Sequence, residues 1–497
     1  MTQHLSRRIF LSGLLTTGLT PLALHAAPPE TSLRPRSRPG SAKPLALTAD
    51  KIIADANLSG EASFAVFDLN TNRPLEAKDP TKSMPPASVA KALTSLYALD
   101  VLGAKHRFET RVLATGDIVD GTLNGDLILA GGGDPTLQTN DLADLAALVK
   151  QTGILSVKGR FLVWGGALPF AQVIDSLQPD HVGYNPAVSG MALNFNRVHF
   201  EWKRAGSDWG VSMDARSDRY RPDVTMSRMR IVSRDAPVYT YDDTGGRDDW
   251  TVARTALGNG GSRWLPVRKP ELYAGEVFQT MMRAQGIVLA APEVTQILPS
   301  GQVIARKQSQ PLPEILRDML KFSTNLTAEM IGMAASARRL GRPETLVNSA
   351  AAMSDWAREV LNLNGTEMVD HSGLGDASRT TTGDLVRALN SPLGRTALRP
   401  LMKSIPMRDK NYRQLSGHPL DVVAKTGTLN FVSTLAGYAN MEDGTDLAFA
   451  ILTADVPKRD ALTEGQRERP PGGRTWNRKS RLLQQAFLQR WSLLHAT

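Results

Sequence analysis

Cysteine is absent from all 497 residues of the chain, which excludes disulfides, thiolate nucleophiles and cysteine-ligated metals. Histidine is scarce, with eight residues, and none stands in a His-x-His or His-Glu-x-x-His pattern, so neither a metal site nor a cofactor is expected. No Gly-x-Ser-x-Gly elbow occurs, so a hydrolase of the Ser-His-Asp type has no obvious place for its nucleophile. Beyond the first thirty or so residues no apolar run is long enough to cross a membrane, and no internal repeat of fixed period is evident. What remains is 41% hydrophobic and 22% charged, the balance of a chain that buries large cores in more than one domain. Any covalent chemistry must use a nucleophile other than cysteine.

The opening MTQHLSRRIFLSGLLTTGLTPLALHAAPPE has a cationic start, a moderate apolar run and small residues at Ala26 and Ala27. It reads as an export signal, and Ser6-Arg7-Arg8-Ile9-Phe10-Leu11 resembles the twin-arginine signal of bacteria, whose cargo is exported folded. The run is broken by Thr16, Thr17, Thr20 and Pro21, which favours a leader of residues 1–26 that is removed over a membrane anchor. A soluble, periplasmic mature protein is expected. Residues 27–46, with Pro35, Pro39, Pro44, Arg34, Arg36 and Arg38, read as an extended basic linker. The formal charge is +9, and loss of the leader removes only Arg7 and Arg8 from it. For an exported chain that surplus points to peripheral association with an anionic membrane surface or the cell wall rather than to nucleic acid.

Ordered structure is expected from Thr48 onward. SFAVFDLNTNRPLEA alternates around the turn Asn70-Thr71-Asn72 and predicts a hairpin. At the far end VAKTGTL, STLAGYANM and TDLAFAILTA predict three strands, and WNRKSRLLQQAFLQRW an amphipathic helix. Strands from both ends imply one sheet assembled from distant parts of the chain. Between them, GTLNGDLILAGGGDPTL and SVKGRFLVWGG flank a short helix near residues 142–150, and the stretch around HFEWKRAGSDWGVSMDARSDRYRPD reads as short strands and loops.

Chemistry concentrates in three short stretches. Ser88-Val89-Ala90-Lys91 is the only Ser-x-x-Lys of the sequence and opens a helical stretch after Pro85 and Pro86. Positions i and i+3 share a helix face, so the pair suits a serine nucleophile and a base whose pKa is lowered by burial. By itself the pair reads as a helix cap and a lysine reaching out to water. Ser323-Thr324-Asn325 and Lys425-Thr426-Gly427 follow in order, each alone an ordinary helix start or strand end. Together they form the Ser-x-x-Lys, Ser-x-Asn, Lys-Thr-Gly triplet of penicillin-recognising serine acyltransferases.

The resemblance sharpens on four further features: the long stretch between Lys91 and Ser323, AGGGDPTL from Ala130, GYNPAVSGMALNFNRV from Gly183, and VDHSGLG from Val369. With these the chain resembles the class C low-molecular-mass penicillin-binding proteins, D-alanyl-D-alanine carboxypeptidase/endopeptidases of the type-4 family. The resemblance implies an α/β (α+β) fold of the serine β-lactamase/transpeptidase type, with an antiparallel sheet flanked by helices. That catalytic domain would comprise residues 47–105 and 300–497, a middle domain 106–196 and 269–299, and a small β-rich insertion 197–268. It further implies that Ser88 attacks the carbonyl of the penultimate D-alanine while Lys91 takes its proton. Ser323 would relay a proton toward the leaving amine, with Asn325 and Lys425 holding the network; the N–H groups of Ser88 and Thr428 would form the oxyanion hole. Lys425, Thr426 and Thr428 would bind the terminal carboxylate, and Gly427 would keep the strand clear for substrate. The implied partners are peptidoglycan stem peptides and cross-links, with β-lactam antibiotics as covalent inhibitors.

The sequence departs from relatives after Ser372-Gly373-Leu374, where Gly375 and Asp376 replace a small residue and an arginine that faces the peptide's diaminopimelate side chain. Asp376 reads as a solvated loop carboxylate, with Arg379 as the nearest substitute cation. Two rival readings stand beside the peptidase. A β-lactamase would need a dedicated deacylation base, for which Glu344-x-x-x-Asn348 offers only a superficial match; a non-catalytic wall-binding protein would not require both lysines and both serines.

Overall fold

The computed structural model describes residues 46–341 and 344–495; the leader and linker expected over residues 1–46 lie almost wholly outside the described residues. The chain begins with helix α1 (Ala49–Ala56), capped by the Thr48 hydroxyl, which accepts from Lys51 N–H. Strands β1 (Glu61–Asp68) and β2 (Arg73–Lys78) follow as an antiparallel hairpin. They pair with three strands from the other end of the chain, β3 (Leu420–Leu429), β4 (Val432–Met441) and β5 (Asp446–Ala454). The sheet order is Lys403–Ser404, β3, β4, β5, β1, β2, antiparallel throughout.

Both faces of this sheet are covered, so β4 and β5 read as almost continuous apolar runs rather than as alternating ones. The two-residue side-chain period still sorts them. Leu447, Phe449 and Ile451 join Phe64, Val66 and Leu435 under the C-terminal helix Gly473–His495, which contributes Phe487, Leu488 and Trp491. Ala448, Ala450 and Leu452 face the opposite layer, with Leu93, Leu96, Tyr97, Leu385 and Leu389. Small residues on that side let helices approach the sheet closely.

That layer is built from α2 (Ala90–Val101), α3 (Leu312–Phe322), α4 (Asn325–Leu340), α5 (Leu346–Leu361) and α6 (Thr382–Asn390). Every residue of α2 from Ala90 to Leu99 is buried, so α2 is a central helix with no polar face.

The residues between α2 and α3 form a second core. Strands Pro292–Thr295, Phe161–Trp164, Leu127–Gly131, Glu109–Ala114 and Gln302–Gln308 make a five-stranded sheet in that order, packed by helices Thr139–Gln151 and Pro270–Ala284 through Leu142, Leu145, Tyr273 and Phe278. Two three-stranded sheets fill residues 197–266. One boundary differs from the sequence reading, which assigns residues 300–308 to the catalytic part. Gln302–Gln308 pairs with Glu109–Ala114, Arg306 opposite Arg111, and the chain re-enters the helical layer only at α3, where Leu312 N–H donates to His106 O. The alternating QVIARKQ marks a strand, but a strand's own pattern does not say which sheet will accept it.

Candidate active site

The segment before α2 is held under strain. Ala87 sits at φ 46°, a conformation non-glycine residues keep only when their surroundings impose it. Residues 87–89 form one 3₁₀ turn that runs into α2. Two glycines let neighbouring chain close on this turn: a Cβ at Gly373 would lie 1.9 Å from Ala87 O, and one at Gly427 would lie 2.8 Å from Ser88 N and 2.1 Å from Thr434 Oγ1. Gly427 therefore makes room for the serine turn behind β3. Thr434 completes the clamp by donating its hydroxyl to Pro86 O at 2.8 Å.

Ser88 and Lys91 face each other, with Lys91 Nζ 2.9 Å from Ser88 Oγ. The amine also donates to Asn325 Oδ1 and to Ser372 O, both at 2.8 Å. Asn325 Nδ2 is engaged by Tyr184 O at 2.9 Å, which leaves Oδ1 for the lysine. Two of the three partners are pure acceptors and the third is a hydroxyl. A neutral amine, with two N–H groups and one lone pair, matches this set when the lone pair points at the Ser88 hydroxyl. Lys91 is fully buried, and burial lowers its pKa against the pull of Glu329 and Asp370 in the opposite direction.

Ser323 and Asn325 come from the α3–α4 junction. Ser323 ends α3 at φ 61°, its N–H donating to Met319 O; Thr324 is the N-cap and Asn325 the first residue of α4. The sharp reversal turns the Ser323 hydroxyl toward β3, where Lys425 Nζ lies 2.9 Å from its Oγ and 2.9 Å from Thr426 O. Burial first, then repulsion from Lys91 and Lys403, takes Lys425 down to about 6.

These groups open on a cleft of ≈ 330 Å³, lined by Ser88, Ser323, Asn325 and Thr428, with Tyr184 and Gln178 on its far wall. Thr426 and Gly427 line an adjoining hollow with Tyr412, Arg481 and Gln484, Thr428 being common to both. Strand Lys403–Ser404 pairs with β3 only at Ala424 and Val423, so the β3 edge from Lys425 onward is open on that side.

Sequence reasoning missed two contributors to the cleft. Arg459, in DVPKRD, pairs its Nε with Asp376 Oδ1 at 2.8 Å on the cleft wall; no motif marks it. Asp376 is thus an ion-paired wall residue rather than a solvated loop carboxylate, and Arg379 is turned away, its Nη1 donating to Asp376 O and Ser378 O. Tyr184 lies within a stretch the sequence does single out, but its use of a backbone carbonyl leaves no side-chain signature. Glu344 is exposed just before α5 and does not line the cleft.

Comparison with known proteins places these observations. The model of the D-Ala-D-Ala carboxypeptidase 3 (S13) family matches residues 45–468. The D-alanyl-D-alanine carboxypeptidase of Actinomadura sp. (strain R39) is 27% identical over 483 residues, covering 89% of this chain and 86% of the relative. The D-alanyl-D-alanine carboxypeptidase DacB of Haemophilus influenzae is 25% identical over 407 residues, 78% of this chain and 84% of its own length. The crystal structure of penicillin binding protein 4 (dacB) from Haemophilus influenzae superposes with a TM-score of 0.69 at 20% identity, over 89% of this chain and 99% of that one, a likeness of fold.

Proposed function

Because the chain belongs to the D-Ala-D-Ala carboxypeptidase 3 (S13) family, a family of serine-type hydrolases acting on peptidoglycan peptides, we propose that Ser88 is the nucleophile on which its acyl-enzyme forms. The observation that carries this assignment is the set of contacts at Lys91 Nζ, with Ser88 Oγ at 2.9 Å and two acceptors opposite it. In acylation Ser88 Oγ bonds to the carbonyl carbon of the penultimate D-alanine and its proton passes to Lys91. The carbonyl oxygen takes up negative charge against the N–H groups of Ser88 and Thr428, each such donor contributing about 3 kcal/mol in other hydrolases. The C–N bond then breaks, and Ser323, bridged to Lys425, supplies the proton that the departing D-alanine amine requires. Water repeats the sequence in reverse on the ester, releasing the shortened peptide.

The substrate enters extended along the open edge of β3, as peptides add to exposed strands. Its terminal carboxylate is taken by Lys425 and Thr428; Thr426, which lines the other hollow, acts through its backbone carbonyl on Lys425. The same site opens cross-links when the leaving amine belongs to a neighbouring stem peptide, which gives endopeptidase activity. It accepts β-lactams, as the penicillin binding protein 4 of Haemophilus influenzae, solved in complex with a β-lactam, does. The basic surplus and the Arg7-Arg8 leader favour twin-arginine export and action in the periplasm, with peripheral attachment to membrane or wall.

Mass spectrometry after exposure to penicillin tests the assignment. One adduct is expected, on the peptide containing Ser88, absent in Ser88→Ala and persisting for many minutes while D-alanyl-D-alanine peptides turn over. Rapid catalytic loss of penicillin with no adduct and no release of D-alanine would instead make the protein a β-lactamase.

A further inference from the structure

Glu329, the fifth residue of α4, is completely buried one layer behind Lys91. Its Oε2 accepts the His371 N–H at 2.8 Å, and the nearby Ser372 side chain favours its ionised form. Its Oε1 has no hydrogen-bond partner among the described residues, a costly arrangement for a carboxyl group. Ser372 presents its carbonyl oxygen to Lys91 at 2.8 Å, so two successive residues of one turn hold the two groups, His371 the carboxyl by its N–H and Ser372 the amine by its carbonyl.

The remaining groups around Glu329 are accounted for. From α2 only Lys91 faces it with a charge. Asp370, from the same loop as Ser372, is buried and committed to that loop, accepting Gly373 N–H at 2.7 Å and Gly375 N–H. The His371 ring is buried between Ser349 Oγ, 2.8 Å from Nε2, and Met353, and burial keeps it neutral. From α5 the neighbours are thus uncharged.

Resting on the assignment of Ser88 and Lys91 above, we propose that Glu329 is a positioning residue for acylation. It anchors the 370–374 turn so that Ser372 O meets Lys91, and it is the buried carboxyl with which the amine shares a proton. Burial raises Glu329 itself, so carboxyl and amine titrate as a pair rather than as a fixed charge beside a base. Burial alone would drive Lys91 far toward the neutral form and leave it a weak base, whereas a carboxylate nearby restores basicity. The orphaned Oε1 is the structural cost of keeping that carboxyl where water cannot reach it.

The test is the pH dependence of acylation by penicillin, followed as adduct on Ser88, for the unaltered protein, Glu329→Gln, Glu329→Asp and Ser372→Ala. Glu329→Gln keeps the shape and an acceptor for His371 N–H but removes the charge. The acid limb of its acylation rate is expected about 1–3 pH units lower than that of the unaltered protein, with a reduced plateau. Glu329→Asp, which keeps the charge, holds the limb near its original position even if the rate falls. Ser372→Ala retains the carbonyl on Lys91 but withdraws a donor that stabilises the carboxylate, so its limb moves in the same direction by a smaller amount. A folded Glu329→Gln whose limb stays in place overturns the proposal and leaves Glu329 a packing residue; should that variant not fold, an unmoved limb in Ser372→Ala overturns it. Absence of adduct in the unaltered protein overturns the Ser88 assignment and this inference together, an outcome distinct from adduct formation with an unmoved limb.

Discussion

Two buried lysines at one site do different work because their neighbours differ. Lys91 has Glu329 and Asp370 behind it, which oppose the effect of burial. Lys425 is lowered to about 6 by burial first and then by repulsion from Lys91 and Lys403, so it is largely neutral at pH 7 in the free protein. A substrate carboxylate beside it supplies the missing negative charge and raises its pKa, so binding should take up a proton. Calorimetry of a D-alanyl-D-alanine peptide binding to Ser88→Ala, in buffers of differing ionisation enthalpy, is expected to show uptake approaching one proton at pH 7 that fades as the pH falls below 6. The sign follows from a depressed pKa: below it the free protein already holds the proton. Binding with no buffer dependence at pH 7 would mean that Lys425 does not meet the carboxylate.

At the scale of elements, catalytic geometry and stability are carried by opposite faces of one sheet. The C-terminal helix Gly473–His495 covers the sheet face opposite α2, and only its first turns reach the cleft, through Asn477; toward its other end Trp491 packs against Phe449, Phe64 and Phe487 with ring centroids 5.6–6.1 Å apart. It also donates its indole N–H to Glu76. Trp491→Ala should cost about 3–5 kcal/mol of stability by opening a cavity, Glu76 keeping its two hydrogen bonds from Arg490. The α2 and α4 contacts to Lys91 do not pass through this layer, so the acylation rate at 25 °C should change little. Thermal unfolding measured beside acylation checks both halves; parallel loss of the two would mean that the sheet transmits the defect to the serine turn.

The whole molecule joins its two cores at the site itself. Asn325 is oriented by Tyr184 O, which belongs to the long segment between α2 and α3, so the inserted part supplies one wall of the cleft and one hydrogen bond of the catalytic network. Such an arrangement exists only after both cores have formed, which suits export in the folded state. Replacing Arg7 and Arg8 together by lysine is expected to leave precursor in the cytoplasm, detected by fractionation and immunoblotting. Normal export of that double variant would point to the general secretory route.

The residue types and order of the three motifs, the hairpin and the terminal helix are legible in the amino-acid sequence because each depends on local geometry: i to i+3 spacing, two-residue alternation and turn chemistry. The run LAFAILTA declares a strand buried on both faces before any partner is known. Neither the strand Gln302–Gln308 nor Gly427 could be interpreted that way, since sheet membership and the direction from which a backbone is crowded are set by distant chain. The same holds for Arg459, Tyr184 and Glu329. They meet Asp376, Asn325 and His371 across long sequence separations, through an ion pair, a backbone carbonyl and a buried carboxyl. None of these leaves a periodicity or a motif, because each is defined by what packing brings within hydrogen-bond reach and by how thoroughly it excludes water.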